Sequence, residues 1–220
     1  MLLLLSLMQT TSSEAEGMET RKLRIVAFGT SLTARGGWQR PLEAALRDCL
    51  QRPVTVETVA RSGATSGWAI TMADSVIEKK PDVVLVEFYA NDAALNRFMT
   101  VNQSRANMDE ILSKLKRSLP AARVIVMGMN PISGIRGFAR PFLQSYIDAH
   151  RQLAEAKGFD FFDNRPAWLR LSPAELAAAI PDGSHPLPSV AAATIVPGLT
   201  AEIAGVGCIT SSDMAKGMYP

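Results

Sequence analysis

The sequence contains few of the residues that build metal sites, and it has no marked excess of charge of either sign. Its 220 residues include two histidines and two cysteines, and the formal net charge is +2. Two distant histidines do not provide a metal-ligand cluster. No run of Lys and Arg is dense enough for a phosphate-binding stripe. We therefore expect neither a metal site nor a nucleic-acid partner.

The two cysteines, Cys49 and Cys208, are too few for a disulfide framework. Cys49 is in phase with the apolar side of a predicted helix, which also carries Leu42, Ala45, Leu46 and Leu50. We therefore interpret Cys49 as a small buried hydrophobe. The cysteine content leaves the redox compartment open.

The apolar run near the start of the chain, Leu2 to Met8, is too short to cross a membrane, which takes roughly 20 apolar residues. The first basic residue, Arg21, follows this run, whereas a signal peptide carries basic residues before it. We predict that residues 1–22 form an N-terminal extension and that the protein has no membrane partner. A cytoplasmic location is favoured, and export through a weak N-terminal signal is the alternative.

Three common motifs of α/β proteins do not occur in the sequence. Neither G-x-G-x-x-G nor G-x-x-x-x-G-K-[ST] follows the first predicted strand, so a nucleotide-binding domain has no support. The pentapeptide G-x-S-x-G, which holds the nucleophile of the α/β-hydrolase fold, is also absent. A reactive serine, if there is one, must therefore lie in a different setting.

Apolar runs that are typical of buried parallel strands alternate with segments of helical periodicity. The predicted strands are Leu23–Phe28, Val54–Val59, Val83–Tyr89, Val124–Met129 and Phe159–Phe162. The predicted helices are Pro41–Leu50, Ser66–Lys79, Ala106–Leu119, Pro141–Lys157 and Ser189–Ile203, with a bend or break at Pro197. This pattern predicts an α/β fold, a three-layer α/β/α sandwich around a mostly parallel five-stranded sheet. One domain covers residues 23–205, and residues 206–220 form a C-terminal tail.

Polar residues follow the first three predicted strands, at the edge of the sheet where ligands bind in such folds. Ser31, Gly63 and Asn91 come from three different strand ends and meet there. Asp182 stands three residues before His185, so its carboxylate can reach a ring nitrogen and leave Nε2 free as a base. A serine esterase needs such a nucleophile and base, with donors aimed at the developing oxyanion. The other histidine, His150, lies on the apolar side of a predicted helix, where a structural role is favoured.

These residues resemble the conserved blocks of the SGNH hydrolases, also called GDSL esterases. The matching segments are Gly29-Thr30-Ser31-Leu32-Thr33, Gly63, Asn91-Asp92 and Asp182-Gly183-Ser184-His185-Pro186. The resemblance covers Leu23 to about Ile203, and it implies a flavodoxin-like fold, ester hydrolysis through an acyl-enzyme, and no cofactor. It also implies a catalytic triad of Ser31, Asp182 and His185, with an oxyanion hole formed by Ser31, Gly63 and Asn91.

The sequence departs from the family pattern at two positions. Thr30 replaces the usual aspartate, which we expect to alter the hydrogen bonds of the loop more than the chemistry. Tyr89 replaces a glycine two residues before Asn91, and in a strand both side chains would share a face. We therefore predict that Tyr89 lies beside Asn91 and either narrows the substrate pocket or supports the amide.

Candidate substrate-binding residues are Tyr89, Trp38, Trp68 and Arg136. The tryptophans follow two of the motif loops and are placed to stack on sugar rings or, equally, to cap the core. Arg136 belongs to a loop, "NPISGIRGFARPF", that suits a polar alcohol group, and its glycines and Pro141 oppose a contiguous amphipathic helix.

The sequence therefore predicts a serine esterase for short acyl, above all acetyl, esters of small molecules or carbohydrates. An acyltransferase or thioesterase with the same triad, and a non-catalytic carbohydrate-binding module, are the alternatives. Homo-oligomer formation is left open.

Overall fold

A computed structural model of the chain describes residues 21–208 and contains one five-stranded sheet. The strands are β1 (Leu23–Gly29), β2 (Val54–Ala60), β3 (Val83–Glu87), β4 (Arg123–Gly128) and β5 (Asp160–Asp163). They lie in the order β2-β1-β3-β4-β5, and every neighbouring pair is parallel. This is the strand order of flavodoxin-like folds. The predicted fold class is confirmed.

Within residues 21–208, ten α-helical segments connect or follow these strands, and five of them are long. The long helices are α2 (Gln39–Leu50), α3 (Ser66–Ile77), α5 (Val101–Ser118), α7 (Leu143–Ala156) and α10 (Pro188–Ala204). The short ones are α1 (Ser31–Ala34), α4 (Tyr89–Asp92), α6 (Gly134–Phe138), α8 (Arg165–Trp168) and α9 (Pro173–Ala179). Two 3₁₀ turns cover Leu95–Arg97 and Val206–Cys208. No helix in residues 21–208 combines the length and the apolar character needed to span a bilayer.

The sheet is covered on both faces, which is why its central strands β1, β3 and β4 are largely apolar. Alternate residues of β1 point to opposite faces. On one face, Ile25 packs in a core with residues of α2 and α10, such as Leu42 and Ile195. On the other face, Val26 packs in a second core with residues of α3 and α5, including Leu112. The two cores give the three layers that the alternation of strands and helices predicts.

The register of the strands brings three loops to one edge of the sheet. Gly29, the last residue of β1, is paired with Ala60 at the end of β2 and with Glu87 at the end of β3. The chain therefore leaves all three strands at the same level, just before the segments that carry Ser31 and Asn91.

The structure corrects several local predictions. Cys49 is half-buried and forms a disulfide with Cys208, so it is not the free buried hydrophobe that its helical phase suggested. The sequence could not show this pairing because the two residues are 159 positions apart. The loop after β4 contains the one-turn helix α6, although two of its residues are glycines. Helix α10 continues through Pro197 without a break, and the alternative of a bend there stays a prediction.

The segment boundaries at residues 22 and 205 stay predictions. Residues 206–208, at the start of the predicted tail, form a 3₁₀ turn that the disulfide ties to the end of α2. The other residues of both predicted terminal segments, apart from 21 and 22, lie outside the described part of the chain.

Candidate functional site

Three side chains from distant parts of the sequence form a continuous chain of hydrogen bonds at the carboxyl edge of the sheet. Ser31 Oγ lies 2.8 Å from His185 Nε2. On the other side of the ring, His185 Nδ1 lies 2.7 Å from Asp182 Oδ2. If the proton is on Nδ1, it is donated to Asp182, and Nε2 is free to accept the proton of Ser31. A hydroxyl held in this way can act as a nucleophile.

Ser31 owes its position to the sharp turn at the end of β1. It is the first residue of helix α1, and Thr30 caps that helix by accepting a hydrogen bond from the Leu32 amide at 3.3 Å. The first N–H groups of a helix have no partner within the helix. The Ser31 amide accordingly points out of the end of α1, with its own hydroxyl beside His185.

The loop that carries His185 is hydrogen-bonded to the loop after β4. The Ser133 amide donates a hydrogen bond to the Gly183 carbonyl at 2.8 Å, and Asn130 Nδ2 donates to the Ser184 carbonyl at 3.0 Å. Gly183 has a φ of +73°, and a Cβ at this position would lie 2.4 Å from the Ser133 carbonyl oxygen. Only glycine combines this backbone conformation with so close an approach.

Asp182 accepts hydrogen bonds on both carboxylate oxygens. Its Oδ1 takes the amides of Ser184 and His185 at 2.9 and 2.7 Å, and its Oδ2 takes the imidazole. Partial burial opposes ionisation, but the hydrogen bonds from His185 and Ser184 outweigh it and hold the pKa of Asp182 well below its usual range. The carboxylate is therefore ionised at neutral pH, as an anchor for an imidazolium requires.

Three groups around Ser31 are able to donate hydrogen bonds to a bound oxygen. The amides of Ser31 and Gly63 have no acceptor among residues 21–208. The side-chain amide of Asn91 gives one N–H to the Ala64 carbonyl at 2.8 Å, which leaves its second N–H available. Ser31, Gly63 and Asn91 line one cavity together with His185. Donors arranged in this way can stabilise an oxyanion.

The turn that carries Asn91 is fixed by the buried carboxylate of Asp92. Asp92 accepts hydrogen bonds from the Ser66 amide at 2.8 Å and from Ser104 Oγ at 2.6 Å. The same Ser104 hydroxyl lies 2.8 Å from His150 Nε2. Burial lowers the pKa of His150 to about 3, so this imidazole stays neutral. His150 is fully enclosed, and its contacts are those of a structural residue.

A second buried carboxylate, Glu87, lies beneath the turn that precedes Ser31. It accepts hydrogen bonds from the Thr30 amide at 2.5 Å, from the Thr30 hydroxyl at 3.0 Å and from the Thr33 hydroxyl at 2.8 Å. A Cβ at Gly29 would lie 2.3 Å from Glu87 Oε1, so the close packing here requires glycine. The sequence did not indicate a role for Glu87, because the residue lies within the predicted apolar strand Val83–Tyr89.

Two cavities of opposite character meet at Ser31 and His185. The first, of about 180 Å³, is lined mainly by apolar groups. These groups come from Leu32, Gly36, Met129, Pro186, Ala191 and Ile195. The second, of about 260 Å³, is lined by polar side chains and contains the candidate oxyanion donors. An ester bound at Ser31 could place its two halves in these two environments.

Of the candidate substrate-binding residues, only Arg136 lines either of these cavities. Tyr89 is buried, and its hydroxyl accepts a hydrogen bond from the Met129 amide. The predicted position of Tyr89 beside the pocket is wrong because β3 ends at Glu87. Residues Tyr89–Asp92 then form a helical turn, in which residues two apart do not share a face.

The two tryptophans belong to the cores and not to the cavities. Trp38 is completely buried and donates to the Leu32 carbonyl at 3.1 Å. Trp68 packs against Phe28 and Phe88, with Arg61 over its ring. The stacking of sugars on these rings is therefore not supported by their positions.

The profile of the GDSL-like lipase/acylhydrolase family matches residues 27–193. A search of curated proteins finds no sequence match.

Among solved structures, an acetylxylan esterase from Geobacillus stearothermophilus aligns with a TM-score of 0.70 at 20% identity, covering 86% of this chain and 97% of that one. A lipase/acylhydrolase from Enterococcus faecalis aligns with a TM-score of 0.66 at 22% identity, covering 82% and 96%. At these identities the likeness establishes the fold.

Proposed function

Because the chain belongs to the GDSL-like lipase/acylhydrolase family, we propose that it is a serine esterase that hydrolyses short-chain acyl esters through an acyl-enzyme. The observation that carries the proposal is the unbroken series of hydrogen bonds from Ser31 through His185 to Asp182. It lies beside a cavity lined by free amide donors. Acetyl esters, including those of carbohydrates, are the favoured substrates.

In the first half of the reaction, His185 Nε2 accepts the proton of Ser31 while Oγ forms a bond to the ester carbonyl carbon. The negative charge on the carbonyl oxygen is stabilised by N–H donors of Ser31, Gly63 and Asn91. The bond to the alkoxy oxygen then breaks, and His185 gives its proton to the departing alcohol. Asp182 stabilises the imidazolium throughout, without taking up the proton itself.

In the second half, water replaces the alcohol. His185 accepts a proton from the water, the resulting hydroxide attacks the acyl carbon, and Ser31 leaves with the proton that His185 returns. The free acid and the original enzyme result.

The size of the apolar cavity supports short acyl groups. Its volume of about 180 Å³ is small compared with the roughly 300–1,000 Å³ of typical ligand pockets. A small apolar cavity favours a short acyl chain over a long one. The structural relative from Geobacillus stearothermophilus is named as an acetylxylan esterase, which agrees with an acetyl group in this position.

Labelling with a fluorophosphonate probe tests the nucleophile. Wild-type protein should be labelled at Ser31, whereas Ser31→Ala should not be labelled and should not hydrolyse aryl acetates. The exposed Ser118, at the end of α5, provides a matched control, and Ser118→Ala should keep both properties. Labelling of Ser31→Ala at the wild-type rate would overturn the proposal.

The coupling between Ser31 and His185 is a second test. If the two residues act as one unit, each alanine variant loses nearly all turnover, and the double variant is little worse than either. Losses that multiply in the double variant would show that the two side chains act independently.

One observation favours a second function, that of a lipase acting at lipid surfaces. Phe98, Ile135 and Phe138 are 93%, 90% and 89% exposed on segments that also carry cavity-lining arginines. Exposed apolar groups at an active-site rim can bind an aggregated substrate. A sharp rise in the hydrolysis of a long-chain ester above its critical micelle concentration would support this function, and a smooth saturation curve would exclude it.

A further inference from the structure

Four arginines line the polar cavity next to Ser31. They are Arg35, Arg97, Arg136 and Arg140, and no aspartate or glutamate shares this lining. The arginines come from three separate segments, the end of α1, the 3₁₀ turn Leu95–Arg97 and the loop around α6. The net charge of the whole chain is only +2, so this concentration of positive charge is local.

These guanidinium groups have few negative partners within residues 21–208. Arg136 lies 3.2 Å from Asp182, a carboxylate that His185 already uses. Arg140 donates to the carbonyl oxygens of Ala90 and Arg136. Arg97 makes no hydrogen bond or ion pair through its side chain in this part of the structure.

Arg35, the fourth arginine of the polar cavity, lies beside His185. Its Nη2 lies 3.2 Å from His185 Nε2, and it too has no carboxylate partner in the described chain. Like charges gathered around a cavity with so few counter-charges repel one another, and this repulsion is reduced when an anion enters between them.

The arginines are close enough to influence each other. Burial lowers the pKa of Arg140, and the charges of Arg136 and Arg97 lower it further. An arginine nevertheless remains charged at any physiological pH. Arg97 also reaches the candidate oxyanion site, since a Cβ on Gly63 would lie 3.0 Å from Arg97 Nη2. An anion in this cavity would therefore lie next to the reacting ester.

We propose that the substrate is an ester whose alcohol half carries a negative charge, which the arginine-lined cavity binds. This inference rests on the proposed esterase function. The two cavities that meet at Ser31 differ in polarity, so the short acyl group occupies the apolar one and the anionic alcohol occupies the other. Guanidinium groups bind carboxylate and phosphate alike, through paired charge-assisted hydrogen bonds.

A series of acetyl esters that differ in charge tests the inference. The probes are meta-acetoxybenzoate, its neutral methyl ester, meta-acetoxyphenyl phosphate and the cationic meta-acetoxy-trimethylanilinium. Wild-type protein should hydrolyse at least one anionic ester with a kcat/KM about tenfold above that of the neutral ester, since tenfold corresponds to one modest charge-assisted contact. The cationic ester should be the poorest substrate. The two anionic probes distinguish a carboxylate from a phosphate preference.

Arg97→Gln tests the role of the cavity directly, because this side chain has no partner in the described structure whose loss could disturb the fold. It should reduce the ratio of anionic to neutral kcat/KM by about tenfold. Arg117→Gln removes the same charge from the last turn of α5, which leads to the opposite edge of the sheet, and should leave the ratio unchanged. Raising the salt concentration from about 0.1 M to about 1 M shortens the Debye length from about 10 Å to about 3 Å. This screening should also reduce the ratio of anionic to neutral kcat/KM in the wild-type protein.

The outcomes separate this inference from the proposed function. If the kcat/KM of the neutral ester equals or exceeds that of both anionic esters, the inference is overturned and the proposed esterase function is unaffected. An equal loss on charged and neutral esters in Arg97→Gln would also overturn it, since the arginine would then act on the oxyanion. Absence of hydrolysis of every ester, together with no fluorophosphonate labelling, would overturn the esterase function itself.

Discussion

Glu87 is expected to make the stability of the protein depend on pH. The side chain is fully enclosed at the end of β3, and burial raises its pKa from 4.5 to about 7 in spite of the hydrogen bonds from Thr30 and Thr33 that lower it. In the unfolded chain the carboxyl group is in water, and its pKa is near the ordinary value. Between these two pKa values, the folded state holds a proton that the unfolded state has released.

The sign of the effect follows from this difference in bound protons. Because the folded state binds more protons between pH 4.5 and about 7, the free energy of unfolding falls as the pH rises through that range. A difference of this size corresponds to about 3 kcal/mol. The contribution of Glu87 is thus complete below pH 4.5 and lost above pH 7.

Glu87→Gln removes the titration while keeping the shape of the side chain. Urea unfolding of both proteins from pH 4 to pH 8 should show the wild type losing about 3 kcal/mol of stability relative to the variant. Glu110→Gln, which removes an exposed carboxyl group from α5, is the matched control and should follow the wild type. Parallel curves for wild type and Glu87→Gln would refute the reasoning and show that the threonine donors keep Glu87 ionised over the whole range.

Three other outcomes are expected. Asn91→Ala should lower kcat about 10²–10³-fold with the fold intact, as the loss of one oxyanion donor does, and a change below threefold would mean that another group donates. Cys208→Ser opens a loop of 159 residues and should lower the free energy of unfolding in urea by about 2–5 kcal/mol, whereas an unchanged midpoint would show that the disulfide adds nothing. Aryl acetate and butyrate should be cleaved with a kcat/KM at least tenfold above that of the palmitate, because a cavity of about 180 Å³ has no room for the longer chain, and comparable values would contradict this limit.

The sequence predicts those features that depend on short stretches of chain. The central strands can be predicted because burial on both faces makes them largely apolar, as in Val83 to Val86 of β3. Asp182 and His185 are only three residues apart, so one loop brings them together in almost any fold. Ser31 stands directly after an apolar strand, at the edge of the sheet where the parallel strands end.

Other features depend on loop conformations that no periodicity encodes. Arg35 and Arg97 converge on one cavity from separate turns, and neither has a motif around it. The direction of Tyr89 depends on where β3 ends, since one helical turn in place of two strand residues moves it into the core. The pairing of Cys49 with Cys208 depends on how α10 packs beside α2, which is a property of the whole fold.

The threonine at position 30 is compatible with the buried glutamate at position 87, whereas the aspartate of the family pattern would not be. An aspartate at position 30, as in the family pattern, would place a second carboxylate against Glu87, whose described contacts include no cation. Two buried carboxylates in one site cannot both ionise easily. The Thr30 hydroxyl instead donates to Glu87 and still accepts from the Leu32 amide, so the cap of helix α1 is kept. The position of the Ser31 amide and hydroxyl depends on that cap, which is why this departure from the family pattern changes the bonding beneath the turn and leaves the Ser31 hydroxyl in place.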